Sequence, residues 1–242
     1  SPIPSFEELV IQAASLRREI LEMIIEAGSG HPGGSFSMVE ILLVLYSYFL
    51  RHRKPEDPDW EDRDRFVLSK GHGVPALYAV LSEFGYIPKE ELKTLRKLGS
   101  RLQGHPDKRF LPILEASTGS LGQGLSVGIG LSLAARIDKK PCRTYVLLGD
   151  GELEEGQVWE GVMFAAQHKL DNLTAIVDVN QIQLDGFTKD IIDMEPLVPK
   201  WQAFGWVVQE IDGHDVGQIY EALLACSDHE DQPCVIIART IK

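Results

Sequence analysis

The chain has 242 residues, enough to fold around a substantial hydrophobic core, and its 44% hydrophobic and 25% charged residues are typical of a globular protein. Its formal net charge of −12 argues against a surface that binds nucleic acid or an anionic membrane, because both need basic patches. The N-terminus lacks the basic and apolar segments of a signal peptide, and the longest strongly apolar run, residues 41–50, is too short to span a membrane.

The cysteines give a further indication of compartment. Cys142, Cys226 and Cys234 form no CxxC pair, so neither a disulfide framework nor a zinc site is indicated. Together with the missing signal peptide, this pattern predicts a cytoplasmic protein.

The first third of the chain is predicted to be helical. Ser5-x-x-Glu8 is a capping box, apolar residues follow at helical spacing, and Gly28 can end the helix. A second capping box, Ser37-x-x-Glu40, predicts a buried helix that continues through Phe49.

The glycines between these two helices match G-x-G-x-x-G over residues 28–33. A dinucleotide site requires a strand before this motif, whereas here a helix precedes it and a proline lies inside it. We therefore interpret the segment as a glycine-rich turn through which His31 approaches a ligand, or else as a plain connection between helices.

After a charged surface loop at residues 51–65, strand and helix patterns alternate. We predict strands at 66–69, 144–148, 173–179, 206–211 and 234–240, and helices at 74–84, 154–167 and 216–225, with a loop at 119–124. This alternation predicts an α/β fold, a three-layer doubly wound parallel sheet with helices on both faces. Ligands bind at the carboxyl ends of such strands, which places Ser69–His72, Gly149–Gly151 and Asp178–Gln183 around one possible site.

The strand-to-helix turn LLGDGELEEG, residues 147–156, contains acidic residues where such turns usually bind phosphate. Asn180 follows Asp150 by thirty residues at the end of the next predicted strand, so the two side chains can converge. A carboxylate, an amide oxygen and a nearby backbone carbonyl are hard ligands that suit Mg²⁺ or Ca²⁺, and a cation there would make the turn receptive to a diphosphate. Glu152 and Glu154 are interpreted as first-turn carboxylates that the helix dipole favours.

GDG followed some thirty residues later by Asn resembles the thiamine-diphosphate-binding motif, and four further segments resemble transketolase. They are SGHPGGS (29–35), RDRFVLSKGHG (63–73), QGHPD (103–107) and STGSLGQGL (117–125). The resemblance extends over nearly the whole chain and implies that residues 1–242 form a single domain with the thiamine-diphosphate-binding fold. It identifies this domain as the N-terminal, diphosphate-binding domain or subunit of a transketolase.

The resemblance also implies roles for individual residues. Asp150, Asn180 and the backbone carbonyl of Ile182 would ligate the metal, Mg²⁺ with Ca²⁺ and Mn²⁺ as alternatives. Gly149 and Gly151 would lie against the diphosphate, and Gly119 and Leu121 by the aminopyrimidine. His31 and His72 would face the diphosphate and the substrate channel, and His105 would lie near the reacting carbon. Glu155 and Glu160 resemble the acidic residues that link the two cofactor sites across the transketolase dimer, and Glu155 would have a catalytic and cofactor-binding role.

Three of these assignments have independent support. His31, His72 and His105 each follow a glycine at a predicted element boundary, where the backbone can approach a ligand. Histidine can donate a hydrogen bond to phosphate or transfer a proton near neutral pH, which suits chemistry on sugars.

The activity implied is transfer of a two-carbon ketol unit from a ketose or ketose phosphate to an aldose or aldose phosphate through a thiamine-diphosphate adduct, as in the pentose phosphate pathway. The resemblance implies that this sequence lacks the pyrimidine-binding and C-terminal domains, which carry the activating glutamate and the phosphate-binding arginines. We therefore expect a partner C-terminal subunit that supplies them. We also expect self-association of this chain, which gives a heterotetramer. Two alternatives stay open: a subunit of a deoxyxylulose-phosphate synthase relative or of a 2-oxoacid dehydrogenase, and a non-catalytic cofactor-binding module.

Overall fold

The computed structural model describes residues 3–52, 60–183 and 186–242. The first helix, α1 (Phe6–Ala27), confirms the prediction at both ends. Ser5 and Glu8 form the reciprocal capping box, and Gly28 ends the helix in the left-handed conformation at φ 67°. The predicted apolar face of α1 is buried.

The second predicted capping box is wrong. The predicted helix through Phe49 is present as α3 (Val39–Val44) and a π-helical turn (Leu45–Phe49) that continues it, and a short helix α2 (Pro32–Phe36) precedes it in the segment predicted as a turn. Ser37 makes no cap because its hydroxyl donates to Asp178 at 2.6 Å. Glu40 instead forms a 2.6 Å ion pair with Arg17 of α1.

Five parallel strands form the main sheet of the described structure: β1 (Arg65–Leu68), β2 (Thr144–Gly149), β3 (Leu173–Val179), β6 (Val207–Asp212) and β7 (Cys234–Arg239). Their order is β1-β2-β3-β7-β6. A small antiparallel pair, β4 (Ile182–Gln183) and β5 (Gly186–Phe187), follows β3 directly. A short helix α7 (Thr188–Ile191) comes next in the chain.

Helices cover both faces of this sheet. One hydrophobic core joins the sheet to α1, α3, α4 (Val74–Glu83) and α9 (Val216–Ser227). A second core joins the other face to α5 (Gln123–Ile137), α6 (Gly156–Gln167) and α8 (Leu197–Ala203). The predicted three-layer α/β fold is therefore confirmed, and it explains why the central strands β2 and β3 are buried along their whole length.

Four of the helices in the described structure were not predicted: the short α2 and α7, and also α5 and α8. The prediction treated residues 119–124 as loop, but α5 begins at Gln123 and runs through a stretch rich in small residues. Its glycines allow close packing against the sheet, since a Cβ at Gly124 would lie 2.3 Å from Ser69 Oγ and one at Gly128 would lie 2.3 Å from Val146. Residues 53–59 of the predicted charged loop lie outside the described residues.

The expectation that the cysteines are unpaired is also wrong. A disulfide joins Cys226 at the end of α9 to Cys234 at the start of β7, while Cys142 is free and buried. The cytoplasmic location stays a prediction. No helix in the described part of the chain is long and apolar enough to cross a membrane.

Candidate functional site

The carboxyl ends of β1, β2, β3 and β7 are hydrogen-bonded to one another just beyond the sheet. Ser69 N–H donates to the Leu147 carbonyl at 2.9 Å, and Asp150 N–H donates to the Asp178 carbonyl at 3.2 Å. A cavity of about 540 Å³ opens at this edge. Its walls contain nine of the residues predicted for the site: His31, His72, Gly119, Leu121, Gly149, Asp150, Gly151, Asn180 and Ile182.

Asp150 and Asn180 converge on one side of this cavity, as predicted. The two carboxylate oxygens of Asp150 accept from Gly151 N–H at 2.9 Å and from Gln181 N–H at 2.6 Å. The Asn180 amide oxygen accepts from Ile182 N–H at 3.1 Å. Burial raises the pKa of Asp150 despite the two backbone donors, so the ionised carboxylate lacks enough compensating positive charge.

The donor set fits a hard divalent cation. It contains one carboxylate, one amide oxygen and the Ile182 carbonyl, which accepts from the Lys242 ammonium at 3.2 Å. Oxygen ligands of this kind suit Mg²⁺, which retains water and phosphate oxygens in its remaining positions. Among residues 3–52, 60–183 and 186–242 no group of three or more His, Cys, Asp or Glu side chains could hold a metal ion. The three protein oxygens described here would therefore bind a cation together with oxygens of the ligand.

Two of the three predicted histidines, His31 and His72, line this cavity, and His105 lines a neighbouring one. The rings of His31 and His72 are 5.5 Å apart, edge to face. His105 lies against the neighbouring loop, where a Cβ at Gly119 would meet its ring at 3.1 Å. Gly119 has φ 142°, a conformation that glycine adopts easily, and this permits the close approach.

All three imidazoles are held neutral. Burial, assisted by the Lys70 ammonium, lowers the pKa of His72 to about 3. Burial also lowers the pKa of His31 and of His105, and Arg96 lowers both further. A neutral imidazole has one donor and one acceptor nitrogen, so each ring can donate one hydrogen bond and accept another at pH 7.

The predicted acidic residues Glu155 and Glu160 do not line the cavity. Both are exposed, and within the described chain neither carboxylate has a hydrogen-bond or ion-pair partner. Glu155 is nevertheless close to the cavity wall, because a Cβ at Gly122 would lie 2.8 Å from its Cβ. The two side chains therefore point to solvent on the α6 side of the site.

Lys70 and Asp178 are site residues that the sequence analysis did not assign. Both side chains are fully buried and form an ion pair at the base of the cavity. The Lys70 ammonium also donates to the Gly34 carbonyl at 2.8 Å, and the Asp178 carboxylate accepts from Ser37 and Thr240. A signal was available, since Asp178 is the one charged residue in the otherwise apolar strand LTAIVDV.

Glu152 lies in the first turn of a short 3₁₀ helix (Gly151–Glu154), but its buried contacts give it a larger role than the predicted interaction with a helix dipole. It is 2% exposed and accepts hydrogen bonds from Ser69 Oγ, from Gly122 N–H at 2.9 Å and from Gly149 N–H at 3.0 Å. It therefore joins three loops that border the cavity. Glu154 keeps a more peripheral position and accepts from Gln183 Nε2 at 3.1 Å.

Comparison with known proteins relates this site to one family. Residues 10–242 match the family model described as transketolase, thiamine diphosphate binding domain. The chain is 46% identical to the 6-deoxy-6-sulfo-D-fructose transketolase subunit SqwG of Clostridium sp. (strain MSTE9), over 97% of this chain and 85% of that protein. It is 41% identical to an apulose-4-phosphate transketolase subunit of Phocaeicola vulgatus, over 98% and 83% of the two chains.

Longer relatives match over part of their length. Human transketolase is 42% identical over 95% of this chain, which covers 36% of the human protein. The solved transketolase of Leishmania mexicana superposes with a TM-score of 0.91 at 34% identity, over 98% of this chain and 37% of the solved chain. The chain thus spans a little over a third of these longer proteins, and it belongs to the transketolase family, in which it corresponds to the thiamine diphosphate binding domain.

Proposed function

We propose that this chain is the N-terminal subunit of a two-chain transketolase, which transfers a two-carbon ketol unit from a ketose or ketose phosphate to an aldose or aldose phosphate. The observation that carries the proposal is the cavity at the strand ends, whose walls contain the buried Asp150 carboxylate and Asn180 amide together with His31 and His72. The Phocaeicola vulgatus relative is itself named as one subunit of a transketolase, which supports a division of the enzyme between chains.

Asp150, Asn180 and the Ile182 carbonyl would hold Mg²⁺, and Gly149 and Gly151 would face the diphosphate. Two observations support this arrangement. The raised pKa of Asp150 reflects a buried charge that a cation would stabilise. Gly149 and Gly151 both line the cavity next to Asp150. Thiamine diphosphate, when bound, supplies the carbon nucleophile of the reaction.

The three histidines would bind and orient the sugar next to Gly119 and Leu121, where the aminopyrimidine would lie. Their lowered pKa values keep them neutral at pH 7, so each can donate a hydrogen bond to the sugar through one ring nitrogen and accept one from a sugar hydroxyl through the other. The groups that activate the cofactor and bind the distal end of the sugar, a glutamate and arginines, would come from a C-terminal partner subunit.

Self-association would take place on the side of the site where Glu155 and Glu160 are exposed. Exposed apolar side chains accompany them on α5 and α6, including Val127 at 39%, Met163 at 50% and Phe164 at 43% exposure. Obligate interfaces bury such apolar surface, and a tetramer with two copies of each subunit would place each cofactor between chains. A cytoplasmic location and the pentose phosphate pathway are part of the same proposal.

The test is titration of the chain with thiamine diphosphate in the presence and absence of Mg²⁺, with and without a pyrimidine-domain partner subunit, by isothermal calorimetry. We expect Mg²⁺-dependent binding that tightens with the partner, and two-carbon transfer only when both subunits are present. Asp150→Ala should abolish the Mg²⁺ dependence, whereas the surface variant Asp228→Ala should bind as the wild type does.

Three outcomes would redirect the assignment. Wild-type affinity in Asp150→Ala would mean that the metal ligands are wrong. Release of CO₂ from pyruvate, without ketol transfer, would favour a deoxyxylulose-phosphate synthase relative or a 2-oxoacid dehydrogenase. Tight cofactor binding by the isolated chain, with no turnover in any pairing, would favour a non-catalytic module.

A further inference from the structure

The segment that follows β7, residues 240–242, forms part of the cavity wall. Thr240 N–H donates to the Val179 carbonyl at 3.1 Å, which attaches the segment to the end of β3. Two residues further on, Lys242 lines the cavity, and its ammonium donates to the Ile182 carbonyl at 3.2 Å. The position of this short segment therefore determines where a positive charge lies in the cavity.

The Lys242 ammonium acts on the groups around it. Its charge helps to lower the pKa of His31 and of His72. Its aliphatic stem lies against α2, since a Cβ at Gly33 would be 2.6 Å from Lys242 Cγ. A cation held at the wall of a cavity favours an anionic ligand, and the diphosphate group proposed for this cavity is such an anion.

A histidine in the turn between β6 and α9 binds the same segment. The Nε2 atom of His214 accepts from Ile241 N–H at 3.0 Å. The other ring nitrogen, Nδ1, lies 3.1 Å from Oε2 of Glu40, a carboxylate of α3 that is 7% exposed. Glu40 in turn forms its ion pair with Arg17 of α1. The imidazole thus connects two helices on one face of the sheet to the wall of the cavity.

These contacts determine which ring nitrogen of His214 carries the proton. Because the backbone N–H of Ile241 can only donate, Nε2 must accept and is unprotonated. The proton of the neutral ring is therefore on Nδ1, which donates to the Glu40 carboxylate. Arg17 Nη2 also approaches Nδ1, at 3.4 Å, but it already donates to Glu40 at 2.6 Å. The ring therefore donates to Glu40 and accepts from Ile241.

The turn that carries His214 is itself fixed to the end of β7. Gly213 N–H donates to the Arg239 carbonyl at 2.7 Å, and a Cβ at Gly213 would lie 2.4 Å from Thr240 Cγ2. Within the turn, His214 N–H donates to the Asp212 carboxylate at 2.9 Å. The turn therefore presents the imidazole to the segment at a defined position.

The hydrogen bond to His214 fixes the residue that directly precedes Lys242. The Ile241 side chain is 77% exposed, so its own packing contributes little to the position of the segment. We propose, on the basis of the proposed function, that His214 is a positioning residue. It holds the backbone of Ile241 and thereby keeps the Lys242 ammonium at the cavity wall, where its charge favours binding of the diphosphate group.

The test uses two variants that each replace one ring nitrogen. A glutamine amide extends as far as Nε2 and can accept from Ile241 N–H, whereas an asparagine amide extends only as far as Nδ1 and Glu40. Binding of inorganic pyrophosphate and of thiamine diphosphate, each with Mg²⁺, is measured by calorimetry on the full chain. His214→Asn should weaken both roughly 3- to 10-fold, and His214→Gln should stay within about twofold of the wild type.

A double-variant cycle tests whether His214 acts through Lys242. Lys242→Met should weaken binding of both ligands by itself, and adding His214→Asn should cause no further loss. Ile241→Pro removes the donated N–H and leaves the imidazole in place, so it should weaken binding as His214→Asn does. His229→Asn is the matched control, because His229 lies in the loop before β7, at the opposite edge of the sheet, and it should bind as the wild type does.

The outcomes separate the inference from the proposed function. If His214→Gln is more damaging than His214→Asn, the ring only supports Glu40, and the inference is wrong. Wild-type affinity in His214→Asn or Ile241→Pro overturns it as well, and so do losses of His214→Asn and Lys242→Met that simply add. In each of these cases the wild type still binds thiamine diphosphate with Mg²⁺. A wild-type chain that does not bind it overturns the proposed function and this inference together.

Discussion

Substituting Lys70→Met would leave the Asp178 carboxylate buried without its cationic partner. Both side chains are fully buried, so solvent cannot replace the lost ammonium. Ser37 Oγ at 2.6 Å and Thr240 Oγ1 continue to donate to Asp178, but neither supplies a charge. Removing one partner of such a pair destabilises a protein by about 3–5 kcal/mol, and we expect this loss in the free energy of unfolding.

The structure also predicts how the loss is relieved. Burial raises the pKa of Asp178, but the Lys70 ammonium and the hydroxyl donors more than offset this, so the pKa is held below its ordinary value. Without Lys70 the carboxyl should take up a proton near neutral pH. Adding Asp178→Asn makes that neutral state permanent. The loss in the free energy of unfolding of the double variant should therefore be smaller, by at least about 2 kcal/mol, than the sum of the losses of the two single variants.

The measurement is urea-induced unfolding at pH 7, followed by circular dichroism. Lys97→Met is the matched control, because Lys97 is 47% exposed and its pair with Glu26 should contribute less than about 1 kcal/mol. The reasoning is refuted if Lys70→Met is no more destabilising than Lys97→Met, or if the effects of Lys70→Met and Asp178→Asn simply add.

Three further predictions concern the same cavity. Glu152→Gln should reduce the free energy of unfolding by about 2–3 kcal/mol in urea, because an amide cannot accept all the hydrogen bonds that the carboxylate accepts, while Glu155→Gln should be nearly neutral. Mg²⁺ affinity, measured by calorimetry, should fall as the pH falls toward the raised pKa of Asp150, because the proton and the metal compete for the carboxylate. Asp150→Asn should remove this pH dependence. The folded-state pKa of His72, about 3, lies below its ordinary value. The contribution of the neutral His72 side chain to the free energy of unfolding is therefore fully present above about pH 6.5 and is lost as the pH falls. At pH 5 the loss in the free energy of unfolding should be at most about 2 kcal/mol. It is measured by urea unfolding of the wild type and of His72→Gln at several pH values, as the difference between the two proteins.

The parts of the fold that the sequence predicts are those that depend on local pattern. The capping box of α1 involves residues three positions apart, and the alternation of strand and helix patterns is sufficient to predict the parallel sheet. The meeting of Asp150 and Asn180 also followed from sequence, because consecutive parallel strands end at the same edge. Local order and topology were enough for this much of the site.

The errors arise where tertiary contacts override local chemistry. Ser37 and Glu40 have the spacing of a capping box, but their side chains bind Asp178, 141 residues away, and Arg17 of α1. Helix α5 was missed because its glycines have low helix propensity, while close packing on Ser69 and Val146 makes them necessary. Nothing local relates Lys70 to Asp178, which are 108 residues apart.

The two carboxylates at the base of the cavity show why only one of them is available to a cation. Asp178 is neutralised within the protein by Lys70, and its pKa is lowered. Asp150 receives only backbone N–H donors from Gly151 and Gln181, and its pKa is raised by burial. A divalent cation therefore gains more at Asp150 than at Asp178, since it would relieve an electrostatic penalty that the fold leaves uncompensated. A metal bound at this sheet edge would therefore be directed to Asp150, because the neighbouring Asp178 already pairs with Lys70.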